Sequence, residues 1–382
     1  MPIFDQGYQH WSGELTGHTW RWLAITRHGV RIGMKNRLLR LAMMLAWLPA
    51  LFLAFSLCVW GLLEQKSDLV KPLLGMLSFL GPEILDNPKN YRVEIWTLCY
   101  EYFLLTELRF SMIVILLVGP SLISQDLRFN AMPLYFSRPI RRIDYFIGKL
   151  GIIGYFLGLV LIVPSLVAYL LGMLFSLDLS IIPDTFPLLL ACIGYGLLMT
   201  LSAGLLILAL SSLSRSSRYV GLFWLGIWFV TSIVGSVLEG VNREQRMHDA
   251  YRKSYAMERS IQAGPMPKNP EEQRKRMVEQ REAAQKLRAE IYRDELEGAQ
   301  SDWRPMVSYT GNLARVGQHW LRSDASWQKI GQTVPADARD EFLLRSMGPR
   351  YPWYWSLLLL AVLFGISVCI LNFRVKSLDR LK

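Results

Sequence analysis

Six stretches of the chain are apolar over a length that can cross a bilayer, and this constrains the fold more than any other feature. A membrane-spanning helix needs about 20 consecutive apolar residues. Because lipid offers the backbone no hydrogen-bonding partners, stretches of this kind form helices. The predicted spans cover residues 41–63, 102–124, 150–175, 188–210, 219–238 and 353–373. The sequence therefore predicts an all-α polytopic membrane protein.

The composition of the chain supports a membrane protein rather than a nucleic-acid-binding one. Of 382 residues, 52% are hydrophobic and 19% are charged, whereas soluble domains carry about 25% charged residues. The net charge of +11 would suit a nucleic-acid partner if it formed one patch. Many of the lysines and arginines instead flank the spans, where they orient helices across a membrane. We therefore interpret the charge as a topology signal and expect no nucleic-acid partner.

The short connections predict how the spans are oriented. Arginine and lysine are abundant before the first span, between the second and third spans, and after the sixth span. The connection between the third and fourth spans carries Asp178 and Asp184 and no basic residue. Because basic segments stay in the cytoplasm, we expect a cell (inner or plasma) membrane protein with both termini inside. The segments outside the spans are then a cytoplasmic N-terminus at 1–40, an extracytoplasmic segment at 64–101, a cytoplasmic connection at 125–149, an extracytoplasmic helical domain at 241–351 and a cytoplasmic tail at 374–382.

The residues just before the first span predict a helix lying in the membrane interface. Basic residues recur every four positions on one helical face, and apolar residues fall on the other: Arg27, Arg31 and Lys35 against Trp22, Ile25 and Ile32. This pattern is typical of an interfacial helix with its basic face toward the lipid headgroups. The alternative is a basic tail that only orients the first span.

The long polar segment between the fifth and sixth spans predicts a helical insertion. Asn269 and Pro270, followed by two glutamates, form a helix-start signal, and Gly298 is a stop signal. We expect a charged helix from Pro270 to Glu297. Residues 242–261 could prolong the fifth span and pack against that helix as a hairpin.

Motifs for catalysis are missing from the chain. The sequence has no GxxxxGK[ST] phosphate loop, no HExxH and no serine nucleophile elbow. The five histidines and four cysteines have no metal-ligand spacing. We therefore expect no catalytic residue, no metal site and no cofactor bound to this chain.

Two ionisable residues, Glu107 and Arg109, lie within the second predicted span. An ionisable residue inside a membrane is by default a functional candidate. Because these residues are two positions apart, they lie on different helical faces and do not simply neutralise each other. The alternative, which we favour, places both near the outer interface, where they reach water or pair with the external segment.

The connection between the second and third spans is short, basic and rich in aromatic residues. Its apolar side chains suit a hydrophobic cleft and its arginines suit an acidic rim. Pro139 is expected to interrupt the helix and set a rigid turn. The alternative is a loop that binds lipid headgroups.

This connection resembles the permease subunits of type-2 ABC transporters. The matching positions follow an acidic residue, Asp126, and are Leu134, Ser137, Arg138, Pro139, Ile140, Arg142, Tyr145, Gly148 and Lys149. The layout of an N-terminal helix, six spans and a large piece between the fifth and sixth is also similar. The charged hairpin is longer than the short re-entrant helices common in that family.

The resemblance implies a permease that exports a substrate and is itself not an enzyme. A coupling helix around residues 126–136 would dock on a separate ATPase subunit, which holds ATP and Mg²⁺, and two permease copies or homologues would pair in the lipid membrane. Leu134, Tyr135 and Phe136 would form the docking surface, Arg138 and Arg142 the charged contacts, and Pro139 the joint. The implied coupling residues are Asp126, Leu134, Tyr135, Phe136, Ser137, Arg138, Pro139, Arg142 and Lys149. A scaffold or sensor that transports nothing and binds an envelope protein through the hairpin is the other hypothesis.

Overall fold

The computed structural model is all-helical, as the sequence predicts. It describes residues 20–77, 81–136, 141–176, 178, 180–262, 270–335, 339, 342, 343, 346 and 350–375. Among these residues there is no strand, and six helical stretches are long and apolar enough to cross a membrane. Those stretches are Arg37–Glu64, Pro88–Arg128, Arg142–Ser176, Ile181–Leu213, Ser217–Arg246 and Trp353–Arg374.

Several spans are assembled from more than one helix. The first, fourth and sixth spans are α2 (Arg37–Glu64), α10 (Ile181–Leu213) and α16 (Trp353–Val375). The second comprises α5 (Arg92–Val118) and α6 (Ser121–Arg128). π-helical turns at Gly158–Ile162 and Gly226–Val230 join α8 (Arg142–Leu157) to α9 (Val163–Ser176) in the third span and α11 (Ser217–Leu225) to α12 (Thr231–Gln262) in the fifth. The remaining helices are α1 (Arg21–Gly33), α3 (Leu74–Leu77), α4 (Pro82–Asp86), α7 (Met132–Phe136), α13 (Pro270–Gln300), α14 (Tyr309–Leu321) and α15 (Ser323–Gly331), with 3₁₀ turns at Asp68–Leu73, Pro88–Tyr91 and Arg304–Val307.

The helix of the second span begins earlier than the sequence predicts, at Arg92 rather than at residue 102. From the sequence, the charged residues of this stretch belong to the extracytoplasmic segment at 64–101. In the structure Arg92 and Glu94 are buried and paired, with Glu64 and Lys329 respectively. Pairing offsets part of the cost of burying these charges, and the helix includes them.

Glycines allow the first and third spans to approach closely. A Cβ atom on Gly61 of α2 would lie 2.8 Å from the backbone carbonyl carbon of Phe175 in α9. A Cβ atom on Gly172 of α9 would lie 2.8 Å from the ring of Trp96 and 2.9 Å from Leu57. Small residues at such crossings replace side-chain contacts with backbone packing, which is a common way to associate helices in lipid.

The N-terminal helix α1 packs along the start of the third span. The Thr26 hydroxyl donates a hydrogen bond of 2.9 Å to the carbonyl oxygen of Gly148, and a Cβ atom on Gly148 would lie 2.8 Å from Ile25. Arg27 and Arg31 on the opposite face are exposed. Ile32, which the sequence groups with the apolar face, is exposed too. The position of α1 at a membrane surface stays a prediction.

The insertion between the fifth and sixth spans begins with a helical hairpin. Helix α12 continues the fifth span to Gln262, and α13 returns beside it. The base is closed where Asn242 Nδ2 donates to Asp302 Oδ2 over 2.7 Å. The predicted stop at Gly298 is wrong, since α13 runs on to Gln300. Gly298 instead gives room for Arg246, whose Nη1 would lie 2.9 Å from an added Cβ. Asn269 lies outside the described residues.

The segment after the hairpin returns among the spans, which the sequence analysis did not predict. Tyr309, at the start of α14, shares a 3.0 Å hydrogen bond with Ser202 in the middle of α10 and contacts the ring of Trp224 in α11 edge-on. Ser308 packs against Gly235 of α12. Residues 241–351 therefore include a part that packs within the bundle, and they are not one peripheral domain.

A buried ion pair joins the ends of four spans on the side of the hairpin. Arg92 Nη2 lies 2.7 Å from Glu64 Oε2, and both side chains are almost completely buried. Ser176 of α9 donates to the same glutamate over 3.0 Å. Arg92 also contacts Asp178 at 3.0 Å and Asp184 of α10 at 3.5 Å.

Replacing Arg92 by methionine is expected to destabilise the protein by about 3–5 kcal/mol, because Glu64 would remain buried without its cation. Thermal unfolding in detergent measures the loss. The double variant Glu64→Gln/Arg92→Met should recover most of it, and Lys71→Met, which breaks the exposed pair with Asp68, should cost less than about 1 kcal/mol. Equal melting temperatures for Arg92→Met and the unchanged protein would contradict this role of the pair.

Candidate functional site

The connection between the second and third spans folds as two short helices separated by a reversal. Helix α6 ends at Arg128, and α7 begins at Met132. Asn130 has φ +53°, in the left-handed region that asparagine tolerates better than most residues. The amide of Ala131 donates to the carbonyl oxygen of Asp126 over 2.8 Å. The prediction of a single helix over residues 126–136 is therefore wrong, because the chain turns at Asn130.

The carboxylate of Asp126 is the centre of this connection. Its Oδ2 accepts a 2.7 Å hydrogen bond from the Tyr145 hydroxyl and lies 2.7 Å from Lys149 Nζ. The rings of Tyr135 and Tyr145 are 5.3 Å apart, edge to face. Lys149 Nζ lies 5.7 Å and 5.4 Å from the centres of these two rings. The structure thus brings together Asp126, Tyr135, Tyr145 and Lys149, which we call the Asp126 cluster.

The Asp126 cluster links the exposed connection to the base of the third span. Burial, with a smaller contribution from the negative charge of Asp126, raises the pKa of the Tyr135 hydroxyl. Tyr135 is therefore neutral at physiological pH, and its ring serves as a packing and cation-binding surface. A displacement of α7 would move a charged, hydrogen-bonded group on α8 with it.

Other predicted site residues are described only in part. Arg142 is half-buried in the first turn of α8. Leu134 and Phe136 lie on the backbone of α7, and their side chains are outside the described part. Ser137, Arg138 and Pro139 lie outside the described residues altogether.

Two residues of this region were missed by the sequence analysis. Phe129 is 73% exposed at the tip of the reversal, with the Arg128 guanidinium 5.6 Å from its ring centre. Its signal in the sequence is an aromatic residue between polar ones. Ser211 of α10 accepts hydrogen bonds from the amides of Ile123 and Ser124 and donates to the carbonyl oxygen of Pro120. It caps the break between α5 and α6, and no sequence pattern reveals it.

The two intramembrane charges lie in different environments. Arg109 is exposed on the surface of α5. Glu107 is completely buried, and neither of its carboxylate oxygens has a hydrogen-bond partner in the described chain. The favoured interpretation, in which both residues reach an interface, is therefore wrong for Glu107, because its face of α5 is turned into the bundle.

A second polar network ties the start of the second span to the insertion. Glu101 accepts hydrogen bonds from Arg350 Nη2 at 2.8 Å, Gln318 Nε2 at 2.9 Å and Trp327 Nε1 at 3.0 Å. Lys329 of α15 pairs with Glu94 at 2.7 Å. Groups of His, Cys, Asp or Glu side chains that could hold a metal ion are absent from the part of the chain that is described.

These observations define the class of the protein as a multi-pass, all-helical membrane protein with a structured connection between its second and third spans. A family model described as ABC-2 family transporter protein matches residues 34–309. The chain therefore belongs to the ABC-2 transporter family, in agreement with the motif resemblance. The match ends at the first residue of α14. A comparison with curated proteins gives no match.

Changing Asp126 to asparagine should loosen the connection locally, because the change keeps a weak acceptor for Tyr145 and removes the counter-charge of Lys149. A loss of about 2 kcal/mol corresponds to roughly thirtyfold faster amide hydrogen exchange, since 1.36 kcal/mol is a factor of ten. Mass spectrometry should show this increase in peptides covering α6 and α7. Asp68→Asn, at an exposed pair, is the control. Unchanged exchange in α6 and α7 would refute the importance of the cluster.

Acid should weaken the packing of α15 through Asp324. Burial alone would raise the pKa of this carboxyl, but the hydrogen bond from Arg315 and the charge of Arg350 outweigh it, so the pKa is lowered. A lowered pKa stabilises the fold above the unfolded value of about 3.9, and this contribution is lost as the pH falls through the folded value. Trp327 fluorescence should report the acid transition. Asp324→Asn should be less stable at neutral pH and less acid-dependent. Parallel pH curves for the two proteins would contradict the prediction.

Proposed function

We propose that this ABC-2 family protein is the membrane-spanning permease subunit of an ATP-driven exporter. In this proposal ATP and Mg²⁺ bind to a separate ATPase subunit, and this chain contributes no catalytic residue. The observation that carries the proposal is the Asp126 cluster, since it joins the exposed segment between the second and third spans to the base of the third span. A subunit that pushes on α7 would move α8 through a contact that is mostly buried.

The docking surface combines apolar side chains with basic ones. Phe129 offers an exposed ring, and Arg128 lies next to it. Tyr135, six positions further along the chain in α7, is half-buried. We assign Leu134, Phe136 and Arg138 to the same surface from the sequence. Aromatic residues and arginines are enriched at protein interfaces, and the basic residues suit an acidic rim on the ATPase subunit.

The proposed transport cycle uses the interruptions within the spans. Helix α5 gives way to α6 at Pro120, and π-helical turns interrupt the third and fifth spans. π-helical turns are frequent at functional sites, and interruptions of this kind let a helix bend. ATP bound to the ATPase subunit would shift the spans only if the whole complex binds it with different affinity in the inward-open and outward-open states.

We also propose that two permease copies, or this chain and a homologue, pair in the membrane with both termini in the cytoplasm. The fifth span supports pairing because it lies at the periphery and exposes large apolar side chains, including Leu222, Phe223 and Ile233. Such a face is covered either by lipid or by another span. The transport path would run along the contact between the copies.

The scaffold hypothesis has one observation in its favour. The hairpin of α12 and α13 carries exposed apolar side chains, including Tyr255, Met277 and Val278. A protein outside the membrane could bind there, whether or not the chain also transports a substrate.

Affinity purification from native membranes in mild detergent tests the proposal. The tagged protein should bring down an ATPase chain with a phosphate-binding loop. The variant Phe129→Asp/Tyr135→Asp should bind the ATPase chain roughly thirtyfold more weakly, as expected for a loss of about 2 kcal/mol at an interface. The control is Leu69→Asp, which changes an apolar side chain 72% exposed in the connection between the first and second spans.

The alternative outcome is equally specific. If no ATPase chain is recovered while an envelope protein is, and that protein is lost when Tyr255 and Met277 are changed to aspartate, the scaffold hypothesis replaces the permease. If the ATPase chain is recovered equally with both variants, the docking surface is elsewhere.

A further inference from the structure

Glu107 is unlike the other buried glutamates of the second span and its neighbours. Glu64 and Glu101 each accept hydrogen bonds from an arginine, and Glu94 pairs with Lys329. Glu107 has 0% exposure, and both of its oxygens lack a hydrogen-bond partner within the described chain. Ser111, one helical turn further on, is also completely buried, and its hydroxyl has no hydrogen-bond partner in the part of the chain that the structure describes. Two unsatisfied polar side chains therefore share one face of α5.

This face of α5 is turned toward the third span. Tyr100, two turns before Glu107, donates a 3.0 Å hydrogen bond to the carbonyl oxygen of Ser165. Two turns of helix advance about 10.5 Å, and the third span runs in the opposite direction to the second. The level of Glu107 therefore corresponds to the π-helical turn Gly158–Ile162. A π-helical turn is a point at which a helix can change its register.

The charged groups of the helices that pack against α5 do not compensate Glu107. Most of them have partners of their own: Glu64 and Asp184 with Arg92, Lys149 with Asp126, Arg315 with Asp324, and Lys329 with Glu94. His319 of α14 stacks on Trp353. The arginines Arg37 and Arg40 of α2, Arg109 of α5 itself and Arg218 of α11 are exposed. Arg142 and Asp144 lie in the first turn of α8, about four turns of helix before Gly158–Ile162. An ionised carboxylate without a partner in an apolar site is so unfavourable that the group takes up a proton instead.

We infer that Glu107 is an intramembrane proton-binding site, protonated in this conformation and able to exchange its proton when the second and third spans separate. The exchange is a simple transfer. The carboxyl O–H bond breaks, an entering water molecule accepts the proton, and the hydronium ion so formed leaves to bulk water. Later in the cycle a hydronium ion from bulk water returns a proton to the carboxylate and leaves as water. A single carboxyl would serve, so no chain of buried acids is needed. The exchange during a transport cycle rests on the proposed function, whereas the protonated state does not.

Dicyclohexylcarbodiimide is the probe for the protonated state, because it reacts with protonated carboxyls in apolar surroundings. The purified chain would be treated in phosphatidylcholine vesicles, and the adducts located by peptide mass spectrometry. Glu107 should be labelled at least about tenfold more than Glu101, since a difference of one pKa unit between two carboxyl groups changes the ratio of their protonated fractions about tenfold. Glu101 is the internal control, because it is only six positions away and ion-paired.

Two further results are expected from this experiment. The adduct should disappear in Glu107→Gln, and its rate of formation should fall at alkaline pH. In the same vesicles, the infrared spectrum of the unchanged protein should contain a protonated-carboxyl band that corresponds to one group per chain. Its loss in Glu107→Gln would give independent support. Labelling of Glu107 no stronger than that of Glu101 would overturn the inference.

The exchange itself is tested on the complex with its ATPase subunit. The labelling rate of Glu107 should differ at least about fivefold between the nucleotide-free complex and the vanadate-trapped complex, as expected for coupled sites. Equal rates in the two states would show a fixed proton and overturn the exchange. If no ATPase subunit is found, the proposed function fails, while labelling of the chain alone still decides the protonated state.

Discussion

The buried contact between Arg92 and Glu64 is the interaction on which the arrangement of the spans depends. It draws an arginine at the start of α5 and a glutamate at the end of α2 out of water, and Ser176 and Asp184 bring the ends of α9 and α10 to the same point. Two opposite charges separated in an apolar medium are far less stable than the pair. The ends of these helices are therefore fixed relative to one another, although lipid supplies little hydrophobic force between helices.

The ion pairs of the described residues lie at the ends of the bundle or in the segments outside it, and the side chains between the ends are joined by hydrogen bonds such as that of Ser202 with Tyr309. At one end Arg92 and Glu101 hold the spans and the insertion, and at the other the Asp126 cluster holds the connection to α8. The middle has close approaches at glycines, such as Gly196 of α10, where an added Cβ atom would lie 2.9 Å from Ile162. It also contains Glu107, whose carboxylate has no hydrogen-bond partner among the described residues. Ion pairs therefore hold the spans together at their ends, an arrangement that suits spans that tilt about fixed points.

The sequence predicted the six spans and drew attention to Asp126, Tyr135 and Lys149, because both depend on local patterns. It did not predict the contacts that join these three residues to Tyr145. Span length follows from runs of apolar residues, and Asp126 and Lys149 belong to one short motif. The pairs between distant positions were not predictable, since Glu64 meets Arg92 and Glu101 meets Arg350 only after the chain has folded, and one sequence contains no information on such distances. The reversal at Asn130 was missed because asparagine permits a left-handed residue without requiring it. The return of residues 304–321 among the spans was missed because this segment carries too many polar residues to look like a membrane segment.

The hairpin of α12 and α13 leaves and rejoins the bundle at nearly the same point, where Asn242 and Asp302 are hydrogen-bonded. The gap that any intervening chain must bridge is therefore short and independent of hairpin length. Since the entropy of closing a loop changes only slowly with its length, this position tolerates long additions and deletions at small cost to the spans. It is a natural graft point, at which a rigid domain could be inserted to give so small a membrane protein a recognisable shape in electron micrographs.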